Sequence, residues 1–132
     1  MTLSDVEIDY LGSQPLGRLA TVARDGSPQV NPVGFRYDAE RGVIEIGGHD
    51  LAASRKFRNV AAGSRVALVV DDIVSFQPWL VRGLEIRGEA EALDGQEPLR
   101  PGFSDQLIRI HPRRVISWGV DPEQPHTRDF RP

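Results

Sequence analysis

From Leu80 to Leu93 the residues alternate in character: Leu84, Ile86, Gly88, Ala90 and Ala92 fall on one side, and Glu85, Arg87, Glu89 and Glu91 on the other. A period of two is what a pleated strand imposes, because successive side chains point to opposite faces. One apolar and one charged side is the pattern of an antiparallel sheet with a single face on the core. The segments on either side therefore have to supply partner strands.

They do so with turn chemistry between them. Leu19-Ala20-Thr21-Val22 is strand-like, and Arg24-Asp25-Gly26-Ser27 places a glycine where a hairpin turn needs positive φ. A second strand is expected through Val30, Val33, Phe35 and Tyr37. Pro28 and Pro32 assign it to an edge or a bulge. A turn from Asp38 to Gly42 leads to a third strand, Val43 to Ile46, ending at Gly47-Gly48, where a backbone can approach a neighbour closely. Val66 to Val70 reads as a strand buried on both faces, followed by a charged turn at Asp71-Asp72. A loop from Asp94 to Gly102 precedes the last strand, Leu107 to Ile110 and Val115 to Trp118, bent at Pro112.

Two helices complete the pattern. Ser4 with Glu7 three residues on is a capping box, Leu3 can staple onto Ile8, and the helix should stop near Gly12 and Ser13. A second helix is expected from about Asp50, as its cap, to Ala62. Its apolar face carries Ala53, Phe57, Val60 and Ala61, while Arg55, Arg58 and Asn59 fall away from it. The expected fold is thus mainly β, a six-stranded antiparallel barrel with two short helices. The tail after Asp121 should be extended and available to a partner chain.

Composition narrows the function. The 132 residues form one domain by the usual prior, residues 1–132 throughout. No run approaches the ~20 apolar residues of a membrane span, and no signal-peptide pattern opens the chain, so a cytoplasmic protein is expected. A net charge of -3 argues against a general nucleic-acid binder. There is no cysteine, and His111 and His126 lack partners at metal spacing, so no metal is assigned. No serine has a nucleophile-base context, and no catalytic residue is assigned. The 16 basic residues include a single lysine, Lys56.

That lysine lies in the most informative stretch, Gly47 to Asn59. A strand ends at glycines, a helix begins, and Arg55, Lys56 and Arg58 gather in its first two turns. Guanidinium forks beside a compact ammonium suit a phosphate or a carboxylate. On this motif alone, a solvated basic helix face is the commoner outcome. His49 stands either against a ligand or in a surface loop.

The segment from Leu19 to Asp72 resembles the pyridoxamine 5'-phosphate oxidase-like family of split β-barrel flavin and deazaflavin proteins. The resemblance rests on Leu19-Ala20-Thr21-Val22, Asp25 to Val30, Pro32 to Phe35, Ser54-Arg55-Lys56 and Arg65 to Asp71, in matching order. Pro101-Gly102-Phe103 and Arg113 to Gly119 are similar to short actinobacterial members described as coenzyme F420-dependent. The resemblance implies a homodimer with two cofactor sites at its interface, a homodimer also suggested by the apolar side of the long alternating strand. It implies that Arg55 and Lys56 hold the cofactor phosphate beside Ser54 and Arg58. The backbone of Asn31, Pro32 and Val33 and of Gly47, Gly48 and His49 would line the ring system, and Trp79 would reach it from the second subunit. Oxidases acting on pyridoxamine phosphate carry a basic residue near Asn31 and a further C-terminal segment, neither recognisable here. The implied activity is hydride transfer between reduced F420 and a small organic acceptor. The alternatives are an FMN-dependent reductase or oxidase of the same fold, and a non-catalytic F420 carrier.

Overall fold

In the computed structural model, which describes residues 2–131, the chain opens with α1 (Asp5–Ser13). Ser4 caps it: its hydroxyl accepts from the Glu7 amide at 3.2 Å, and the Glu7 carboxylate accepts from the Ser4 amide at 2.8 Å. Both exposed donors of the helix start are satisfied, as the capping box requires. Leu3, Tyr10 and Leu11 are buried in the core, and Ile8 packs against it.

Eight strands follow: β1 (Gly17–Val22), β2 (Pro28–Val33), β3 (Arg36–Asp38), β4 (Val43–Ile46), β5 (Val66–Phe76), β6 (Trp79–Leu93), β7 (Leu107–Trp118) and β8 (Thr127–Asp129). They form one antiparallel sheet in the order β2-β1-β5-β6-β7-β4-β3, with β8 added beside β7. The six-strand expectation is corrected in two places, and the sheet is not closed.

The first correction lies at Gly34-Phe35. The strand expected to run on to Tyr37 breaks there, and its halves go to opposite ends of the sheet. β2 pairs with β1, and β3 pairs with β4. As an edge strand, β2 tolerates Pro28 and Pro32, which could not donate to a second neighbour. Only two residues separate Val33 from Arg36. The sheet must therefore curl until its edges lie within about 11 Å of each other at that link. The barrel is joined there by covalent chain rather than by hydrogen bonds.

The second correction is the tail. Thr127–Asp129 pairs with residues 114–116 of β7, and Phe130 is buried in the core. The segment expected to reach a partner folds back on its own chain. Arg128 is carried with it to Glu7, and this ion pair is almost wholly enclosed, with side-chain exposures of 4% and 0%.

The core fills the inside of the curl. Leu84 and Ile86 of β6 face it with Leu68, Val70, Ile108, Ile110 and Val115, while Arg87, Glu89 and Glu91 stay exposed. The alternation in β6 thus has the predicted sense. β5 differs from expectation: Val66, Leu68 and Val70 are buried, but Ala67 and Val69 are only half-buried. The strand also continues through Asp71 and Asp72, which stand opposite Gly83 and Arg82 instead of forming a turn. Paired charges make that possible, with Arg18 at 3.3 Å from Asp71 and Arg82 at 2.8 Å from Asp72.

β6 and β7 slip by one residue between Arg87 and Gly88. Arg87 pairs with Arg114 and Gly88 with Pro112, which leaves Arg113 as the extra residue of a bulge. A Cβ on Gly88 would lie 2.1 Å from the His111 carbonyl oxygen. Backbone cannot swing aside as a side chain can. Gly88→Ala should therefore cost at least the ~1–3 kcal/mol typical of overpacking. Denaturant midpoints measure this, and a variant as stable as the parent would show that the bulge relaxes freely.

Candidate functional site

The helix expected over Asp50 to Ala62 is two pieces. Leu51–Ala53 make one 3-10 turn, and α2 (Arg55–Ala61) then starts afresh. Asp50 makes no side-chain capping bond; Ser54 caps α2 in its place. The Ser54 hydroxyl accepts from the Phe57 amide at 3.3 Å and donates to the Leu51 carbonyl at 2.6 Å. It is occupied by the chain's own backbone. Gly63, at φ 103°, ends the helix as its sequence position suggested.

What docks α2 is Asn59, which the helical pattern had put on the solvent side. It is buried, and its amide donates to Thr21 Oγ1 at 3.0 Å and to Gln29 Oε1 at 2.9 Å. A buried amide needs such partners, and here they come from β1 and β2. The docking sets Arg55 and Arg58 beside Arg24 of the β1–β2 turn. With Asn59 and Ala62, these three arginines line a surface cavity of about 260 Å³.

Charge is distributed unevenly over the molecule. Arg18, Arg36, Arg82, Arg87, Arg109, Arg113 and Arg114 each have a carboxylate within ion-pair distance. Among the described residues, Arg24, Arg55, Lys56 and Arg58 make no ion pair, and of the arginines outside this cluster only Arg65, Arg100 and Arg131 share that state. The nearby Asp25 carboxyl is held below its ordinary range, chiefly by hydrogen bonds from Ser27, with a smaller contribution from the Arg55 charge. Three guanidiniums around one cavity without a paired carboxylate form a place where an anion gains on all sides.

The other residues singled out in the sequence lie on separate elements. Asn31 and Pro32 are exposed on β2, while Val33 is buried and can offer only backbone. Gly47 and Gly48 meet the loop between β6 and β7. The Ser104 amide and hydroxyl both donate to the Gly48 carbonyl, at 2.9 and 3.1 Å. His49 Nδ1 donates to the Gly102 carbonyl at 3.1 Å, and its ring stands edge-on to Phe103 at 5.0 Å. A Cβ on Gly47 would come within 2.9 Å of the Phe103 ring. The close approach that the glycines permit is thus made, at least in part, by the chain itself. Trp79, 62% exposed, sits at the tip of the β5–β6 hairpin edge-on to Phe76. It does not line the arginine cavity.

Arg24, which lines the arginine cavity, was absent from the expected site residues. Arg24 had a signal, since it borders the Asp25-Gly26 turn that faces α2. Glu45 is a buried carboxylate of another kind. Burial pushes its carboxyl up, but hydrogen bonds from Arg36 and Arg109 outweigh this and hold it low. It is a fixed counter-charge rather than a proton donor.

An antiparallel sheet curled until its edges meet at one short link, with a basic cavity between a helix and the first hairpin, defines a split-barrel protein. The chain belongs to the pyridoxamine 5'-phosphate oxidase family, whose pattern matches residues 7–129. It is 49% identical to a 5a,11a-dehydrotetracycline/5a,11a-dehydrooxytetracycline reductase of Streptomyces rimosus, over 98% of this chain and 94% of that one. Among solved structures, it is similar to an F420 reductase at 26% identity and a TM-score of 0.63, over 86% of this chain and 98% of that one. A conserved hypothetical protein from Mycobacterium tuberculosis shares the fold, with 23% identity, a TM-score of 0.69, and 89% and 86% of the two chains covered.

Proposed function

We propose that this chain is an oxidoreductase that moves a hydride from reduced deazaflavin coenzyme F420 to a small conjugated acceptor. The observation that carries the reading is the cavity of Arg24, Arg55 and Arg58, cations with no ion pair in a chain 49% identical to a named reductase. Guanidinium forks fit a phosphate, and Lys56 on the same helix adds a point charge. Bound there, the reduced deazaflavin supplies the hydride. The chain's own residues bind, orient and exclude water, a division of labour that needs no side-chain nucleophile.

The acceptor class follows from the relative's name, which specifies a dehydrotetracycline. A conjugated polycyclic ketone is accordingly the first class to try. Hydride adds at the electron-poor carbon of C=C–C=O, the π pair moves onto oxygen, and the resulting enolate takes a proton from solvent. The protein acts as a homodimer in this reading. Phe76, Trp79, Leu80 and Val74 are exposed apolar residues grouped on the β5–β6 hairpin, a surface that a second copy would cover.

Calorimetric titration tests the cofactor. F420 should bind more tightly than FMN, because its tail carboxylates can reach further cations, and added salt should shrink that preference. Equal affinities at low salt, or tighter FMN, would replace F420 with FMN in this scheme. Failure of the protein to oxidise reduced F420 with any of a panel of quinones and enones would leave a carrier.

A further inference from the structure

At the Gly34-Phe35 link lies a groove that shares no lining residue with the arginine cavity. One part, about 220 Å³, is walled by Gly34, Leu99 and Phe103. A second part, about 310 Å³, is walled by Ile8, Leu11, Pro15 and Tyr37. Phe35, Arg36 and Arg100 line both parts, which therefore adjoin. The first part is walled mainly by apolar and aromatic groups, the usual make-up of a small-molecule site, while the second is more polar and includes Gln14.

The two cations are not equivalent. Arg36 donates to buried Glu45 at 2.6 Å, a carboxylate that it shares with Arg109. Arg100 makes no ion pair among the described residues. Its guanidinium lies 6.0 Å from the centre of the Phe103 ring, and a Cβ on Gly34 would sit 3.7 Å from its Nη2. Arg100 is thus stationed across the groove between an aromatic wall and a bare stretch of backbone. Phe103 also abuts Gly47, so the groove ends against the strand terminus where β4 finishes.

We infer that this groove is the acceptor subsite, and that Arg100 selects planar polycyclic acceptors bearing an anionic oxygen, such as an enolate or phenolate. The inference rests on the reductase reading above and names the substrate class within it. The rings stack on Phe35 and Phe103, and the ionised oxygen meets Arg100, the groove cation that holds no ion pair. The arginine cavity on α2 is a separate place, lined by none of the same residues. Arg100 is exposed, so its removal should not unfold the chain.

The test uses equilibrium binding, without turnover. The probes are a hydroxynaphthoquinone that is anionic at neutral pH and its neutral methyl ether, followed by their absorbance. Arg100→Ala should weaken the anionic quinone about tenfold, the loss of one charge-assisted hydrogen bond. The methyl ether should bind parent and variant alike, as should F420. Arg100→Lys should recover part of the loss, since the charge returns without the planar fork. The proposal is overturned if neither quinone binds the parent, if Arg100→Ala weakens both quinones equally or neither, or if it weakens F420. Quinone binding without oxidation of reduced F420 would instead fault the reductase reading while leaving the subsite standing.

Discussion

Replacing Arg128 with methionine should lower the unfolding free energy by about 3–5 kcal/mol, the largest single loss expected from any charge in this chain. Glu7 has no exposed side-chain surface, and Arg128 has 4%. Arg128 Nη1 donates to Glu7 Oε2 at 3.0 Å, and Nη2 donates to Oε1. Without the guanidinium, a carboxylate in the core keeps only the Ser4 amide as a partner. That leaves a charge which water cannot reach. The pair also ties α1 to β8 across 121 positions, so its loss frees both ends of the chain together. Glu7→Gln added to Arg128→Met removes the stranded charge while retaining an acceptor for the cap, and should recover a substantial part. Guanidinium chloride denaturation of the three proteins measures this. A loss under about 1 kcal/mol for Arg128→Met would place the pair with surface ion pairs and contradict the burial argument.

The second large effect is on binding. Arg55→Ala and Lys56→Ala should each weaken F420 binding by roughly ten- to more than hundredfold, from about 1.5–3 kcal/mol per charge-assisted hydrogen bond. Stability should not change. Neither side chain makes an ion pair or a side-chain hydrogen bond among the described residues, and Ser54 rather than either of them caps the helix. Lys56→Arg should recover only part of the affinity, because a planar fork does not reproduce a point charge in every geometry. Calorimetry beside a thermal melt separates the two readouts. Alanine variants that bind F420 as tightly as the parent would move the phosphate site away from α2.

Parts of this site were legible in one dimension and parts were not. Ser54-Arg55-Lys56 could be read because a helix start and its charges are neighbours in sequence. Asn59 was misread for the opposite reason. Helical periodicity puts it away from Phe57 and Val60, and only the presence of Thr21 and Gln29 makes a second buried face there. Arg24 joined the cavity through the same docking. Gly47 announced a close approach without naming Phe103 as the group that approaches.

The division has a physical basis. What the sequence determined by itself depends on forces between near neighbours: the capping box of Ser4 and Glu7, the two-residue period of β6, the glycine turn at Gly26, and the stop at Gly63. Each is decided within about one or two turns of chain. The tertiary structure decided whatever depends on closing long loops and choosing among rival burial partners. The strand through Val30 and Tyr37 had no local reason to break, since its pattern continues across Gly34-Phe35. It breaks because one half gains by pairing with β1 and the other with β4, and those two strands lie at opposite ends of the curl. The tail likewise reads as polar and proline-rich. Arg128 is drawn inside only because Glu7, needed at the cap, is already buried and requires a counter-charge.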